Sequence, residues 1–233
     1  DNVFIGSLSG SGDWHDNGSF ENVAVGSKTM MAVLNGAENN TAMGYQALSS
    51  CTSGTHNVAI GAKASDNLNT GTHNTFVGYA VADAFQKGSN NVAMGSATMD
   101  AMAGDDANNG GNRNVAIGAS SMSAVNAGTH DDARSDDNIA IGYAALLGGT
   151  FTAADLQLEG NIAIGSYALD ATSTNEMTGT IAIGYKALTA LTVGGSNTAI
   201  GYQSAMAMTN SGNNVAIGYD SLREAVDACN SNV

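Results

Sequence analysis

Proline is absent from these 233 residues, aromatic side chains make up only 6%, and just 12% of residues carry charge. A thick globular core of large rings is therefore excluded. The 43% of apolar residues are mostly small or medium, and together with 30 glycines they suit thin, regular layers. Basic residues are scarcest of the common types, 7 against 21 acidic, and the formal charge of −14 repels phosphate backbones and anionic lipid. Nucleic acid is accordingly not an expected partner. No apolar run approaches the length of a membrane span, so no membrane insertion is expected, and the start "DNVFIGSLSG" has neither a basic leader nor a methionine.

What fills the chain instead is a repeat. A five-residue unit begins at Asn2, Asn22, Asn40, Asn57, Asn74, Asn91, Asn114, Asn138, Asn161, Thr180, Asn197 and Asn214. The step between copies is 17 residues in five of the eleven intervals and longer in the others. Within the unit the second residue is Val, Ile or Thr, the third is Ala except at Phe4 and Phe76, the fourth is Ile, Val or Met, and the fifth is always Gly. Such alternation is the period of a β-strand, with Val58 and Ile60 on one face and Asn57, Ala59 and Gly61 on the other. Leu or Met stands four residues after the glycine in eight copies, Tyr follows it directly in six, and Gly, Ser, Thr and Asn dominate the remainder, which is turn chemistry.

A unit this short cannot bury its own apolar face, but stacked on copies of itself it can. The fold expected is all-β: a parallel β-solenoid of about twelve 17-residue-type coils, forming a single repeat domain over residues 1–233. Strands one period apart pair about 4.8 Å apart, giving a rod of roughly 55 Å. Asn40, Asn57, Asn74, Asn91, Asn114, Asn138, Asn161, Asn197 and Asn214 then form a column of mutually bonded amides. Leu, Ile, Val and Tyr outnumber the inward positions, and a homotrimer of parallel rods would cover the excess. Neither end carries a polar cap, and "NSNV" at the close resembles the start of another unit, so a window of a longer fibre is expected.

The segments "NTAMGYQAL" (40–48), "NIAIGSYAL" (161–169), "TIAIGYKAL" (180–188) and "NTAIGYQSA" (197–205) resemble repeats of bacteriophage tail-fibre proteins and related bacterial surface proteins. They are similar as well to the head repeats of trimeric autotransporter adhesins, which form left-handed parallel β-rolls of shorter period. The resemblance implies a structural or adhesive fibre segment, extracellular, on a virion or a cell surface, that meets a surface glycan or protein receptor. A polysaccharide-cleaving tailspike, a bacterial surface adhesin and a filament subunit are the alternatives. Ice binding would need a continuous threonine array, and Thr takes the second repeat position only at Thr41, Thr75 and Thr198.

Longer loops occur at 9–20, 103–113, 127–137 and 147–160. The last three fall in consecutive coils and would project side by side, as binding loops on a rigid scaffold or as tolerated surface insertions. Receptor-contact candidates are Trp14, His15, Asp105, Asp106, Asp131, Asp132, Arg134 and Phe151. Asp105, Asp106, Asp131, Asp132, Asp136 and Asp137 could offer oxygen ligands to calcium, but no known calcium loop is matched and a solvated acidic rim is the plainer expectation. His56 and His73 share one slot in adjacent coils, about 5 Å apart, as a metal or anion pair or simply as polar turn residues.

Cys51 and Cys229 lie about 48 Å apart on this geometry, beyond a disulfide within one chain, and are expected as free buried thiols, with pairing of Cys229 between chains the alternative. Met43, Met94, Met99 and Met122 are expected as core filler. No nucleophile elbow, zinc pattern or phosphate loop occurs, so neither enzymatic activity nor a cofactor is expected.

Overall fold

The computed structural model describes residues 1–12, 18–102, 111–125, 134–149, 157–172 and 176–225. The second to fourth positions of every repeat form a three-residue strand, from Val3–Ile5 to Val215–Ile217. Twelve such strands make one parallel sheet in sequence order, each paired residue for residue with its counterparts in the adjoining copies. The fold is a parallel β-solenoid. Val115 pairs Ile139 across a long period as faithfully as Val58 pairs Thr75 across a short one.

The narrow coil decides which strand face turns inward. Ala24, Ala42, Ala59, Ala93, Ala116, Ala140, Ala163 and Ala182 are fully buried, and so are the asparagines two residues before them, Asn22 to Asn161. The β-branched second position and the Ile, Val or Met of the fourth point outward, because successive side chains alternate across the pleat. Met43 and Met94 therefore leave the expected core, at 47% and 42% exposed, whereas Met99 and Met122, on the turn side, are fully buried.

Asparagine at the first position is fully used. In Asn57, Nδ2 donates to Asn40 Oδ1 at 3.0 Å and to the Gly71 carbonyl at 2.8 Å. Its Oδ1 accepts from the Asn74 amide at 3.1 Å and from Asn74 Nδ2 at 3.0 Å. Four bonds close the inventory of a buried primary amide, which neither Asp nor Leu could do. The column runs further than the nine residues expected, since Asn40 donates to Asn22 and Asn22 to Asn2. It is interrupted at Thr180, whose amide is held by Asn161 Oδ1 at 3.0 Å while its buried Oγ1 has no partner.

Glycine at the fifth position has φ between 124° and 145° in every copy. A methyl group on Gly118 would stand 2.6 Å from the Gly142 carbonyl oxygen of the next coil, so the stacking distance itself excludes a side chain. The apolar segment after it is a turn in which the second and fourth residues are left-handed, as at Gln46 (φ 56°) and Leu48 (φ 48°). Their amides still bond between coils, Gln46 to Ser27 at 3.0 Å and Leu48 to Ala64 at 3.1 Å. Among the described residues 32 other than glycine have positive φ, and none of these is Val, Ile or Thr, for which this region is hardest to reach.

Four coils lack the large turn residue, at Gly10, Ser65, Ala82 and Ala205, and two of them place a phenylalanine inward in its stead. Phe76 replaces the inward alanine where Ala82 replaces the Leu or Met of the turn, and Phe4 does so where Gly10 stands. A methyl on Gly10 would meet the Phe4 ring at 2.6 Å. The ring thus occupies the volume that the turn side chain fills in other coils. Phe76 also packs edge-on against Phe85, with centroids 5.6 Å apart.

Candidate functional site: an uncharged outer sheet

The outward positions of the twelve strands form two columns, one of Val, Ile and Thr and one of Ile, Val and Met. These 24 positions hold three threonines and no charged residue, although 28 residues of the chain are charged. Val3, Ile5, Met43, Ile60, Met94 and Ile117 are all exposed, and Ile217 reaches 66%. At about 4.8 Å per strand and 10 Å across, the two columns cover about 500 Å². Monomers rarely leave so large a contiguous apolar patch without a use for it.

Tyrosines flank this face at six of the twelve strand exits, two residues beyond the outward Ile, Val or Met, and they run most densely along the last coils. Tyr185 stacks on Tyr202 and Tyr202 on Tyr219, both at 5.3 Å, and Tyr143 meets Tyr167 edge-on at 5.2 Å. Lys186 Nζ lies 5.8 Å from the Tyr167 ring and 5.5 Å from that of Tyr185, and Lys28 lies 5.9 Å from that of Tyr45. Each cation is drawn to the negative ring face. The placing of these tyrosines follows from the sequence spacing, but the outward direction of the strand columns does not.

The exits of the long loops converge. Arg134–Asp136, Gln157–Glu159 and Met177–Thr178 form a second, three-stranded parallel sheet, with Ser135, Leu158 and Met177 buried in one row. Of the receptor-contact candidates, Arg134 opens the first of these strands and is exposed. Trp14, His15, Asp105, Asp106, Asp131, Asp132 and Phe151 lie outside the described residues, as does Cys229.

Among the calcium candidates, Asp136 and Asp137 are already engaged. Arg113 grips both oxygens of Asp137, at 2.6 and 2.7 Å, and reaches Asp136 at 3.5 Å. The hydrogen bond from Arg113 holds the Asp137 carboxyl below the usual range. Asp136 also accepts the Asn112 amide at 2.7 Å. No group of three or more metal-ligating side chains occurs among the described residues.

Sequence reasoning missed a second acidic feature. Asp66, Asp83 and Asp100 stand five residues after successive glycines and so form a column of carboxylates. Burial raises the Asp83 carboxyl above its ordinary value, Asp66 adds to this, and Lys63 opposes it. Burial raises that of Asp100 as well. The spacing of 17 was the available signal.

Cys51 is fully buried, and burial pushes its thiol up to about 11. It is a packed side chain without nucleophilic character at neutral pH. His56 and His73 stack with centroids 4.7 Å apart and planes 3° from parallel, as their shared slot requires. Among the described residues no helix is long and apolar enough to cross a membrane. Compared with protein-family models, curated proteins and solved structures, the chain matches none.

Proposed function

We propose that the chain is a rod segment of a structural or adhesive fibre, extracellular and borne on a virion or a cell surface, in which three copies associate through the outer sheet. The uncharged apolar face running the length of the rod carries this reading. With the tyrosines beside it, the face approaches the roughly 800 Å² that each partner gives to a stable association. Three parallel rods with these faces turned to a common axis would bury them all and close the assembly by rotation. The rod sets distance, and the loops at 103–113, 127–137 and 147–160 are the surfaces that would meet a glycan or protein receptor.

Light scattering at several concentrations tests this directly. The expected mass is three times the 23.3 kDa of one chain, independent of concentration. Ile117→Lys sets a charge in the middle of the face and should yield monomers that keep the parent circular dichroism spectrum. A stable, monodisperse monomer of the parent chain would overturn the reading.

A further inference from the structure

We propose that His56 and His73 form a two-imidazole clasp for a divalent transition-metal ion, joining two consecutive coils. Both residues have φ of 58°, so their side chains leave the rod in the same direction. Their backbone is pinned on every side. The His56 amide donates to the Glu38 carbonyl at 2.9 Å and that of His73 to Thr55 at 3.0 Å. Thr55 and Thr72 bridge just before them, and Asn57 and Asn74 bond at 3.0 Å just after. The rings are exposed and parallel, with 4.7 Å between centroids.

A metal with bonds of about 2.1 Å, held at the angle of a square-planar or tetrahedral site, draws the two nitrogens to roughly 3.0–3.4 Å of each other and lies in the plane of both rings. Parallel rings aim their nitrogens side by side, so each ring must tilt toward the other by roughly 50° and carry its outer nitrogen about 0.7 Å inward, a rotation open to an exposed side chain on a fixed backbone. Imidazole donors select copper, nickel or zinc over magnesium or calcium, and copper(II) binds tightest in the divalent series. Water completes the coordination. The neighbours in the same column, Asn39 and Asn90, are neutral and place no competing cation beside the pair.

Those neighbours also supply the control. Asn39 and Asn90 occupy the slot at φ of 57° and 63°, so His→Asn is a substitution that the fold already accepts. Titration of the intact chain with Cu²⁺, read by calorimetry and electron paramagnetic resonance, should show one ion per chain with two-nitrogen coupling. H56N and H73N should each weaken that binding at least tenfold, and the double variant should abolish it. The melting temperature should rise with Cu²⁺ in the parent and not in the double variant. H15N/H130N should bind as the parent does. Retention of the tight site in H56N/H73N would overturn the proposal. So would single variants that each keep one ion at parental affinity, because the imidazoles would then act independently.

Discussion

Replacing Phe76 by alanine and Ala82 by leucine, separately and together, tests whether the coil interior is filled by volume rather than by residue type. Phe76 is fully buried, so F76A removes a ring from a closed space and should cost about 3–5 kcal/mol. A82L alone adds three carbons where the ring stands and should cost about 1–3 kcal/mol by overpacking. Leucine suits the backbone at this point, since Leu146 holds φ of 47° in the corresponding position and Ala82 has 51°. The double variant restores the pairing of small inward residue and large turn residue seen at Ala140 and Leu146, and should lie within about 2 kcal/mol of the parent. The coupling between the two sites is then about 2 kcal/mol or more. Urea unfolding followed by circular dichroism, with slopes compared across the four proteins, measures it. Additive losses, with a coupling under about 0.5 kcal/mol, would refute the reasoning.

Thr180→Asn should raise the melting temperature by supplying the missing rung between Asn161 and Asn197 and removing the unpartnered Oγ1, for about 1–2 kcal/mol. Asn57→Ala should instead lose about 4 kcal/mol, one for each of its four bonds, in the same denaturation assay. For Asp83 the folded state favours the protonated carboxyl, so stability should rise as pH falls through the raised folded value and level off below the ordinary one. Asp83→Asn should raise stability at neutral pH and flatten that rise, as thermal melts across pH 3–8 would show. Cys51 should resist alkylation in the native protein and react once the third coil opens, so mass spectrometry against urea should follow unfolding.

The period, the strands and the asparagine column were legible because each demands a particular residue at a fixed interval. Asn at the first position and Gly at the fifth have no substitute that bonds four ways or tolerates a carbonyl at contact distance. The inward face was not legible, because alternation marks two faces without choosing between them. Large apolar residues ordinarily go inside, which placed Met43 and Met94 in the core. Here the sheet and turn approach too closely for that, and alanine takes the interior of the strand. Nor did Leu48, Lys63 or Gln46 announce left-handed backbone. Its one sequence trace is the lack of Val, Ile and Thr at those sites, a pattern visible only after the conformation is known. The acidic loop residues were harder still: Asp136 and Asp137 read as calcium ligands or as part of a solvated acidic rim, because the Arg113 that holds them stands one coil earlier.

The pairing of Val115 with Ile139 has a practical corollary. Additional chain enters each coil between the end of the turn and the next asparagine, and the pitch of the sheet does not register its length. The rod thus behaves as a ruler whose graduations stay fixed while cargo of differing size hangs from its marks. A foreign peptide spliced between Met102 and Gly111 would be displayed at a set height without shifting any neighbour.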